Sequence, residues 1–389
     1  MIFRNMLIAA AILTGLLCGA CPAADYKINM LKFNDYPEID SITLKSIFYG
    51  HNSAVDRPIT GGEPAYNYSV HIIKDGERYR MYAGGRWRRP GIKCADGDHV
   101  MQYISATGKP NTWKMPYNRP EFFIGCESGK PGQWFSNNCL EPEVLKVNGV
   151  YYMYTQVQID PGTPLDIPGV KAKVGADRIL LFTSRNGYDW TRFEERGVVV
   201  NVDSPETTAL HHQEMVYVPW DKDKKPFWMY VAVNTKKGFE GYSRIRSADP
   251  KTFDWNDREK GVNLAQLGNQ IAYAAEAPGG PLFVRITFTG NDTGRTVPTL
   301  QFSRDGLKWQ IGDNGPALLD GSHDDAFNKN CYFLGISTID GTGALERIGD
   351  NTYRAIYAAT TSNSPGGAEI WKSQVGVGEL VFTINPKGK

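Results

Sequence analysis

Short apolar and aromatic runs, separated by turn residues, follow one another along the chain after Asp25. Five of these runs resemble one another and end on an aromatic ring, and their positions are Tyr79–Tyr82, Tyr151–Tyr154, Phe227–Tyr230, Val284–Phe288 and Tyr353–Tyr357. They recur at intervals of roughly 70 residues, and self-similarity at a long period is typical of a repeat architecture. The pattern therefore predicts five similar units.

Turn residues divide each unit into strands. Asp75-Gly76 and Asn148-Gly149 stand between strand-like runs, and both dipeptides favour tight hairpins because the central residues of such turns need positive φ. A second marker, a Ser that opens a turn and a Trp that closes it, occurs in four of the five units. It spans Ser105–Trp113, Ser184–Trp190, Ser247–Trp255 and Ser303–Trp309. We interpret these residues as structural, a turn and a ring packed between neighbouring sheets.

The units show no helical periodicity. Apolar residues alternate or run in short blocks instead of recurring at i, i+3, i+4 and i+7, so each unit offers about four strands. A β-helix would need much shorter repeats, and a pair of sandwiches would not account for five similar units. The sequence predicts an all-β fold, a five-bladed β-propeller of four-stranded blades around a central axis, with residues 25–389 as a single domain.

Residues 1–24 have the pattern of a secretory signal peptide. Arg4 precedes the apolar run Met6–Leu13 and then Leu16-Leu17, and small residues follow, so cleavage is expected near Ala23 or Ala24. The apolar run is too short for a spanning helix, and it ends in small residues instead of basic anchors. A lipid-modified Cys21 is the alternative, and it would anchor the chain to a membrane. The expected localisation is periplasmic or secreted.

Charge and motifs exclude several functions. The chain carries 43 basic and 42 acidic residues, so its net charge of +1 provides no global field to attract nucleic acid or an anionic membrane. The sequence lacks the G-x-S-x-G elbow of serine hydrolases, the phosphate-binding P-loop and the H-E-x-x-H helix of zincins. No cofactor is predicted and no metal ligand is assigned, while a structural calcium ion stays open. The pattern predicts no oligomeric state.

Four cysteines remain after the signal peptide: Cys94, Cys126, Cys139 and Cys331. Disulfides can persist in exported proteins, so two bridges are possible here. Four cysteines allow three pairings, and all three stay open. Zinc is the weaker interpretation because these four cysteines form no C-x-x-C spacing and the histidines form no H-x-x-x-H spacing.

The segment Cys139–Tyr154 carries an acidic residue, a Pro, apolar positions, a Gly turn and then Tyr-Tyr-Met-Tyr. This order resembles the blade-opening segment of the five-bladed glycoside hydrolases of families 43 and 32, and the Ser-Arg-Asp-Gly turn at Ser303 is similar to theirs. The resemblance covers most of the chain after the signal peptide. It implies a glycoside hydrolase with a carbohydrate site on the propeller axis, acting for example on an arabinose- or xylose-containing glycan.

In the resembled enzymes, acidic residues from three successive blades act as base, pKa-modulating partner and acid. Carried over, the second-blade residue falls on Glu141, and the first-blade base falls on Asp56, with Glu63 as the alternative. In the third blade His212 stands where the acid is expected, so either His212 or Glu214 donates the proton. Each residue is expected just before an innermost strand. Carboxyl groups roughly 6.5–9.5 Å apart would make the enzyme inverting.

Aromatic side chains in Gly- and Pro-rich stretches are candidates for the floor of a sugar site. The predicted substrate-binding residues are Tyr66, Tyr68, Trp87, Trp134 and Glu143. Two other functions stay open. His211-His212 and the tract Arg86–Arg89 suit a polysaccharide lyase that uses His, Tyr and Arg. The missing third-blade acid suits a glycan-binding propeller without catalysis.

Overall fold

The computed structural model describes residues 24–30, 36–51, 67–85, 99–109, 112–114, 116, 138–158, 178–193, 199–202, 204, 206–264, 270–290, 296–313, 330–362 and 374–388. Regular structure in these ranges is almost entirely β-strand. The strands are β1 (Ala24–Met30), β2 (Ile39–His51), β3 (Asn67–Asp75), β4 (Arg78–Gly85), β5 (His99–Ser105), β6 (Asn138–Val147), β7 (Val150–Gln158), β8 (Arg178–Ser184), β9 (Thr191–Arg192), β10 (Val200–Asn201), β11 (Thr207–Tyr217), β12 (Phe227–Thr235), β13 (Gly238–Ser247), β14 (Phe253–Asp254), β15 (Glu259–Val262), β16 (Gln270–Ala274), β17 (Leu282–Gly290), β18 (Thr296–Ser303), β19 (Gln310–Asp313), β20 (Asn330–Ile336), β21 (Thr338–Ile339), β22 (Glu346–Gly349), β23 (Thr352–Ser362) and β24 (Gln374–Pro386).

Most of these strands form five antiparallel blades. From the axis outward, blade 1 is β3-β4-β5, blade 2 is β6-β7-β8-β9, blade 3 is β11-β12-β13-β15, blade 4 is β16-β17-β18-β19, and blade 5 is β20-β23-β24-β2. A bridge between Ile104 and Lys114 takes the outer position of blade 1. Each innermost strand contacts the next, in the order β3, β6, β11, β16, β20 and back to β3. The predicted five-bladed β-propeller is confirmed.

An early strand closes the ring. β2 pairs with β24 and becomes the outer strand of blade 5, whose other three strands come from the C-terminal part of the chain. β1 pairs with both β2 and β19, and so joins the outer edges of blades 5 and 4. Because early and late strands share one sheet, the ring cannot open there without breaking main-chain hydrogen bonds.

The two sequence markers meet at the blade interfaces, where five hydrophobic clusters lie. Tyr82 Oη of blade 1 donates to the carbonyl of Gly187 in the Ser–Trp turn of blade 2, at 3.3 Å. Tyr230 of blade 3 donates in the same way to Gly306 of blade 4, at 2.9 Å. Trp113, Trp255 and Trp309 of these turns are buried. The structural interpretation of the Ser–Trp turns is confirmed.

The fourth repeat is aligned differently from the sequence pattern. In blades 1, 2 and 3, the aromatic anchor of the second strand lies opposite a polar residue of the innermost strand; these anchors are Tyr82, Tyr154 and Tyr230. In blade 4 the residue in this position is Ile286, which lies opposite Gln270. Phe288 as the fourth anchor is therefore wrong by two residues. The reason is the strand pairing: β16 begins at Gln270 opposite Ile286, so Phe288 lies beyond its end.

One end of the axis is closed by residues 337–345, here called the axial loop. Its main chain is hydrogen-bonded to the last residues of four innermost strands, at Lys74, Lys146, Tyr217 and Tyr273, over 2.7–2.9 Å. Ser337 N donates to Ile356 O of blade 5 at 2.7 Å. The axial loop thus joins all five blades at the end where the innermost strands finish. The opposite end, where these strands begin, is left for a binding site.

Candidate active site

Three innermost strands bend at the same level of the axis. β3, β6 and β11 have register shifts at Ser69, Glu141 and His212, whose φ angles are 49°, 52° and 49°. Positive φ is uncommon for residues other than glycine, and β-bulges re-aim side chains beside active sites. The expectation that Glu141 and His212 precede their strands is wrong, because β6 begins at Asn138 and β11 begins at Thr207. The bulges turn these residues within the strands.

Glu141 of blade 2 and His212 of blade 3 are in direct contact. His212 Nδ1 lies 2.8 Å from Glu141 Oε1 and 2.9 Å from Oε2. Their strands are joined beside this contact, since Gln213 Nε2 donates to the carbonyl of Glu141 and the backbone N of His212 donates to Gln156 Oε1 at 3.4 Å. The ring of His211 stacks on that of His212, with centroids 4.7 Å apart. These contacts fix the pair in one geometry.

Burial and neighbouring charge shift the pKa values of the two imidazoles in opposite directions. Burial lowers the pKa of His212, but the charge and hydrogen bond of Glu141 more than reverse this, so the pKa lies above its usual value. Burial, followed by the neighbouring His212, lowers the pKa of His211 to about 4. At neutral pH His211 is neutral, while His212 holds its proton more firmly than a free imidazole. A carboxylate that orients an imidazole in this way is typical of proton-transferring sites.

Glu214 has a different partner. Arg285 on β17 of blade 4 donates from Nε to Glu214 Oε2 at 2.8 Å and from Nη2 to Oε1 at 2.5 Å, and both side chains are fully buried. Arg285 Nη1 donates to Gln301 Oε1 at 3.0 Å. Burial raises the pKa of Glu214 and the Arg285 charge opposes this. Both carboxylate oxygens are occupied, so Glu214 is an ionic anchor between blades 3 and 4.

A second imidazole and carboxylate meet deeper along the axis. His71 Nδ1 lies 3.2 Å from Glu143 Oε2, and His71 Nε2 lies 2.9 Å from the carbonyl oxygen of Val144. Both side chains are buried. Burial raises the pKa of Glu143 to about 7, although His71 opposes this. This pair forms part of the floor beneath Glu141 and His212.

Sequence reasoning missed Arg285 and His71. His71, Glu143, Glu214 and Gln270 hold the same position in four blades, and in each case one polar residue precedes two apolar ones. That repeated polar position would have identified His71. Arg285 had a signal of its own, because it is a single charged residue between Val284 and Ile286 in an apolar strand.

The structure brings together the predicted Glu141, Glu143, His212 and Glu214, while their catalytic or binding roles stay predictions. Tyr68 pairs with Gly84 in blade 1. Other predicted residues lie outside the described ranges: Asp56, Glu63, Tyr66, Trp87, Trp134, Cys94 and Cys126. Among the residues that are described, no group of three or more His, Cys, Asp or Glu side chains is arranged for a metal ion. The same ranges contain no helix of the length and apolar character that a membrane span requires.

Comparison with known proteins supports the fold. No protein-family model matches the chain, and no curated protein matches it. Among solved structures, the chain is similar to a glycoside hydrolase (13% identity, 85% of this chain and 90% of that chain, TM-score 0.54). It is also similar to the α-L-arabinofuranosidase PaAbf62A from Podospora anserina in complex with cellotriose (11%, 87% and 98%, 0.53) and to a GH62 hydrolase in complex with xylotriose (9%, 86% and 97%, 0.52). At these identities the likeness shows the propeller fold alone.

Proposed function

We propose that this chain is an exported glycoside hydrolase whose active site lies at the axial end where the innermost strands begin. The observation that carries the proposal is the contact between Glu141 and His212, a carboxylate and an imidazole that come from successive blades and lie on bulged strands. Such a pair transfers protons, which glycoside cleavage requires. A periplasmic or secreted location and kinship with families 43 and 32 are parts of the same proposal.

In the proposed reaction His212 is the general acid. Its Nδ1 is committed to Glu141, so Nε2 is the nitrogen that passes a proton to the glycosidic oxygen as the bond from that oxygen to the anomeric carbon breaks. The charge and hydrogen bond of Glu141 raise the pKa of His212, which favours the protonated ring that a general acid needs. Glu141 orients the ring. A water molecule attacks the opposite face of the sugar and gives its proton to Asp56, which inverts the anomeric configuration.

For the substrate we propose an arabinose- or xylose-containing glycan. The support is that one similar structure is named as an α-L-arabinofuranosidase and another as a hydrolase in complex with xylotriose. The aromatic residues Tyr66, Tyr68, Trp87 and Trp134 would stack on the sugar rings. Glu143 is buried beneath Glu141, so we do not place it among the residues that contact the sugar.

A substrate screen tests the proposal. Protein lacking residues 1–24 is incubated with arabinans, arabinoxylans and aryl glycosides, and released reducing sugar is measured. We expect cleavage by the wild type and a loss of about 100-fold or more in Glu141→Gln, because the proton-transferring unit is disrupted. Glu240→Gln is the matched control, since Glu240 is an exposed carboxylate paired with Lys260. Folded wild-type protein that cleaves no member of the panel, or a Glu141→Gln variant with full activity, would contradict the proposal.

A lyase acting on acidic polysaccharides is the second candidate. An imidazole stands where the resembled hydrolases have a carboxylic acid, and Arg285 occupies both oxygens of the nearest alternative, Glu214. An imidazole suits removal of a proton beside a uronate carboxyl group. Uronic acid polymers are therefore tested for the ultraviolet absorbance of a new unsaturated bond, which hydrolysis does not produce. Tight glycan binding with neither kind of product would instead identify a binding propeller.

A further inference from the structure

His71 and Glu143 form an imidazole–carboxylate pair that the proposed reaction does not use. The two side chains come from the adjacent innermost strands β3 and β6, and they are 1% and 3% exposed. His71 Nδ1 lies 3.2 Å from Glu143 Oε2, and His71 Nε2 lies 2.9 Å from the carbonyl oxygen of Val144. A buried pair of titratable groups one layer below the site needs an explanation.

The contacts of His71 place one proton on its Nε2 and require that the His71–Glu143 pair holds a second proton. A carbonyl oxygen only accepts, so Nε2 of His71 must carry a hydrogen to bond to Val144. The remaining contact joins Nδ1 to Oε2 of Glu143. Without a hydrogen between these atoms, two lone pairs would face each other away from water, which is unfavourable. Nδ1 lies at ion-pair distance from Oε2 but forms no hydrogen bond of normal geometry with it, so one proton is held by the pair, either on the imidazole or on the carboxyl group.

The pair connects the three strands that build the site. Glu143 follows Glu141 by two residues in β6, and Met215 N, three residues after His212 in β11, donates to Glu143 Oε2 at 3.4 Å. A movement of Glu143 is thus transmitted to both bulged strands. We propose that His71 and Glu143 are a proton-sharing positioning pair that holds Glu141 against His212 and releases it when the shared proton leaves at alkaline pH.

The surroundings oppose a net negative charge on the pair. The charged groups that face Glu143 are His71 on β3 and Glu214 on β11, and Glu214 is held by Arg285 on β17. Gln270, which faces the same layer from β16, is uncharged and bonds to Ile72 O at 3.3 Å. Loss of the shared proton leaves a carboxylate against a neutral imidazole and beside Glu214, so the pair separates. Burial already raises the pKa of Glu143 to about 7, which brings this loss near neutral pH.

Glu143→Gln tests the pair. Both contacts of Glu143 are made by Oε2, so the substituted amide keeps one of them, either accepting from Met215 N or donating to His71 Nδ1, and it carries no proton that can leave. We expect a folded, active protein in which the alkaline limb of the kcat/KM profile moves up by about one pH unit or more. His71→Gln moves the limb in the same direction, because the imidazole that opposes the raised pKa of Glu143 is gone. Glu240→Gln, at an exposed carboxylate, leaves the profile unchanged.

A second readout does not depend on turnover. The imidazole ¹⁵N resonances of His212 are followed against pH, and His212→Asn identifies them among the six histidines. The wild type should show an additional inflection where the His71–Glu143 pair loses its proton, and Glu143→Gln should lack it. The inference rests on the proposed function only in its activity readout. A protein that shows the inflection but cleaves no glycan would contradict the proposed function and would still support the positioning pair.

Three results would overturn the inference. In the first, wild type and Glu143→Gln share both the alkaline limb and the His212 inflection. In the second, Glu143→Gln is folded and inactive at every pH, which makes Glu143 a participant in the chemistry. The third result needs only the wild-type protein, and it decides the matter if neither variant folds. It would be a set of His71 resonances at pH 6 that show no proton held between Nδ1 and the carboxyl group.

Discussion

Three carboxylates at the propeller axis have three different partners, and the partner sets the chemistry of each. Glu141 holds an imidazole, Glu143 shares a proton with another, and Glu214 is neutralised by Arg285. A carboxylate bound through both oxygens to a buried guanidinium is suited to stability, because proton transfer would break the ion pair. The carboxylate beside His212 is suited to orienting an acid.

Removing Arg285 should be costly for stability. Arg285→Met leaves Glu214 buried without its counter-charge, and we expect a loss of about 3–5 kcal/mol in the free energy of unfolding. The double variant Glu214→Leu with Arg285→Met should recover most of that loss, because no uncompensated charge remains. Lys225→Met, which removes a surface pair with Asp257, should change stability by about 1 kcal/mol or less. Urea denaturation measures all four proteins, and a double variant no more stable than Arg285→Met would contradict the ionic role.

Glu143 should make stability depend on pH. Burial raises its folded pKa to about 7, whereas the unfolded value is about 4.3. The folded state binds this proton more tightly, so the stabilisation is fully present below about pH 4.3 and is lost as pH rises through about 7. The difference corresponds to about 3–4 kcal/mol at most. Urea unfolding between pH 5 and 8 should show a falling stability in the wild type and a flatter dependence in Glu143→Gln; equal slopes would contradict this.

Sequence reasoning reached the axial carboxylates and His212, but it did not predict which of them are in contact, and it missed His71 and Arg285. Glu141, Glu143 and Glu214 were candidates because each precedes apolar residues of a repeated strand. Both His212 and Arg285 are 71 positions from the carboxylate they meet, and such pairings depend on which blades are adjacent. Local pattern carries no information about that distance until the ring of blades is built.

At the scale of elements, the sequence predicted site residues just before the innermost strands. The structure instead turns Glu141 and His212 toward the site at bulges within β6 and β11. The sequence predicted the second strand of each blade well, because Tyr-rich runs and Ser–Trp turns have clear local patterns. A bulge is a property of two paired strands, and no local pattern in the sequence marked Ser69, Glu141 or His212 as residues with positive φ. The same limit displaced the fourth anchor, since the position of Ile286 opposite Gln270 is a property of the pairing of β16 with β17.

The axial loop offers a matched glycine test. Gly341 has φ 71°, and a Cβ there would lie 2.0 Å from the carbonyl oxygen of Val144. Gly149 has φ 76° and nothing within 4 Å of a Cβ. Both substitutions to Ala carry the left-handed backbone penalty of about 1–2 kcal/mol. We expect Gly341→Ala to lose about 1–3 kcal/mol more, through crowding against blade 2. Thermal unfolding compares the two, and equal losses would show that the axial loop is not packed as described.

At the scale of the whole molecule, stability depends on closing a ring of five blades. The sequence predicted the number of blades from the repeats, but it did not identify β2 as the outer strand of blade 5. That assignment requires an early strand to pair with β24, more than three hundred residues later, as Asn385 does when it bonds to Ser41 and Thr43. No local signal specifies such a partner.

Removing β2 should therefore prevent cooperative folding. A fragment that starts at residue 52 leaves β24 as an unpaired edge, which favours aggregation. We expect a synthetic peptide of residues 36–51, added in trans, to restore cooperative thermal unfolding. The matched peptide with Leu44→Asp should fail, because Leu44 is buried between blades 4 and 5. A fragment that folds equally well without any peptide would contradict ring closure by β2.

The claim that His212 is the acid of a glycosidase is tested most directly by varying the leaving group. His212→Asn is suitable because Asn tolerates the positive φ of this position. On an unactivated alkyl arabinoside, which needs protonation of the departing oxygen, we predict that kcat/KM falls by about 100-fold to 10,000-fold. On a dinitrophenyl arabinoside, whose leaving group departs without a proton, we predict a loss of less than about tenfold. Equal losses on both substrates, or no loss on either, would contradict the assignment of His212 as the general acid.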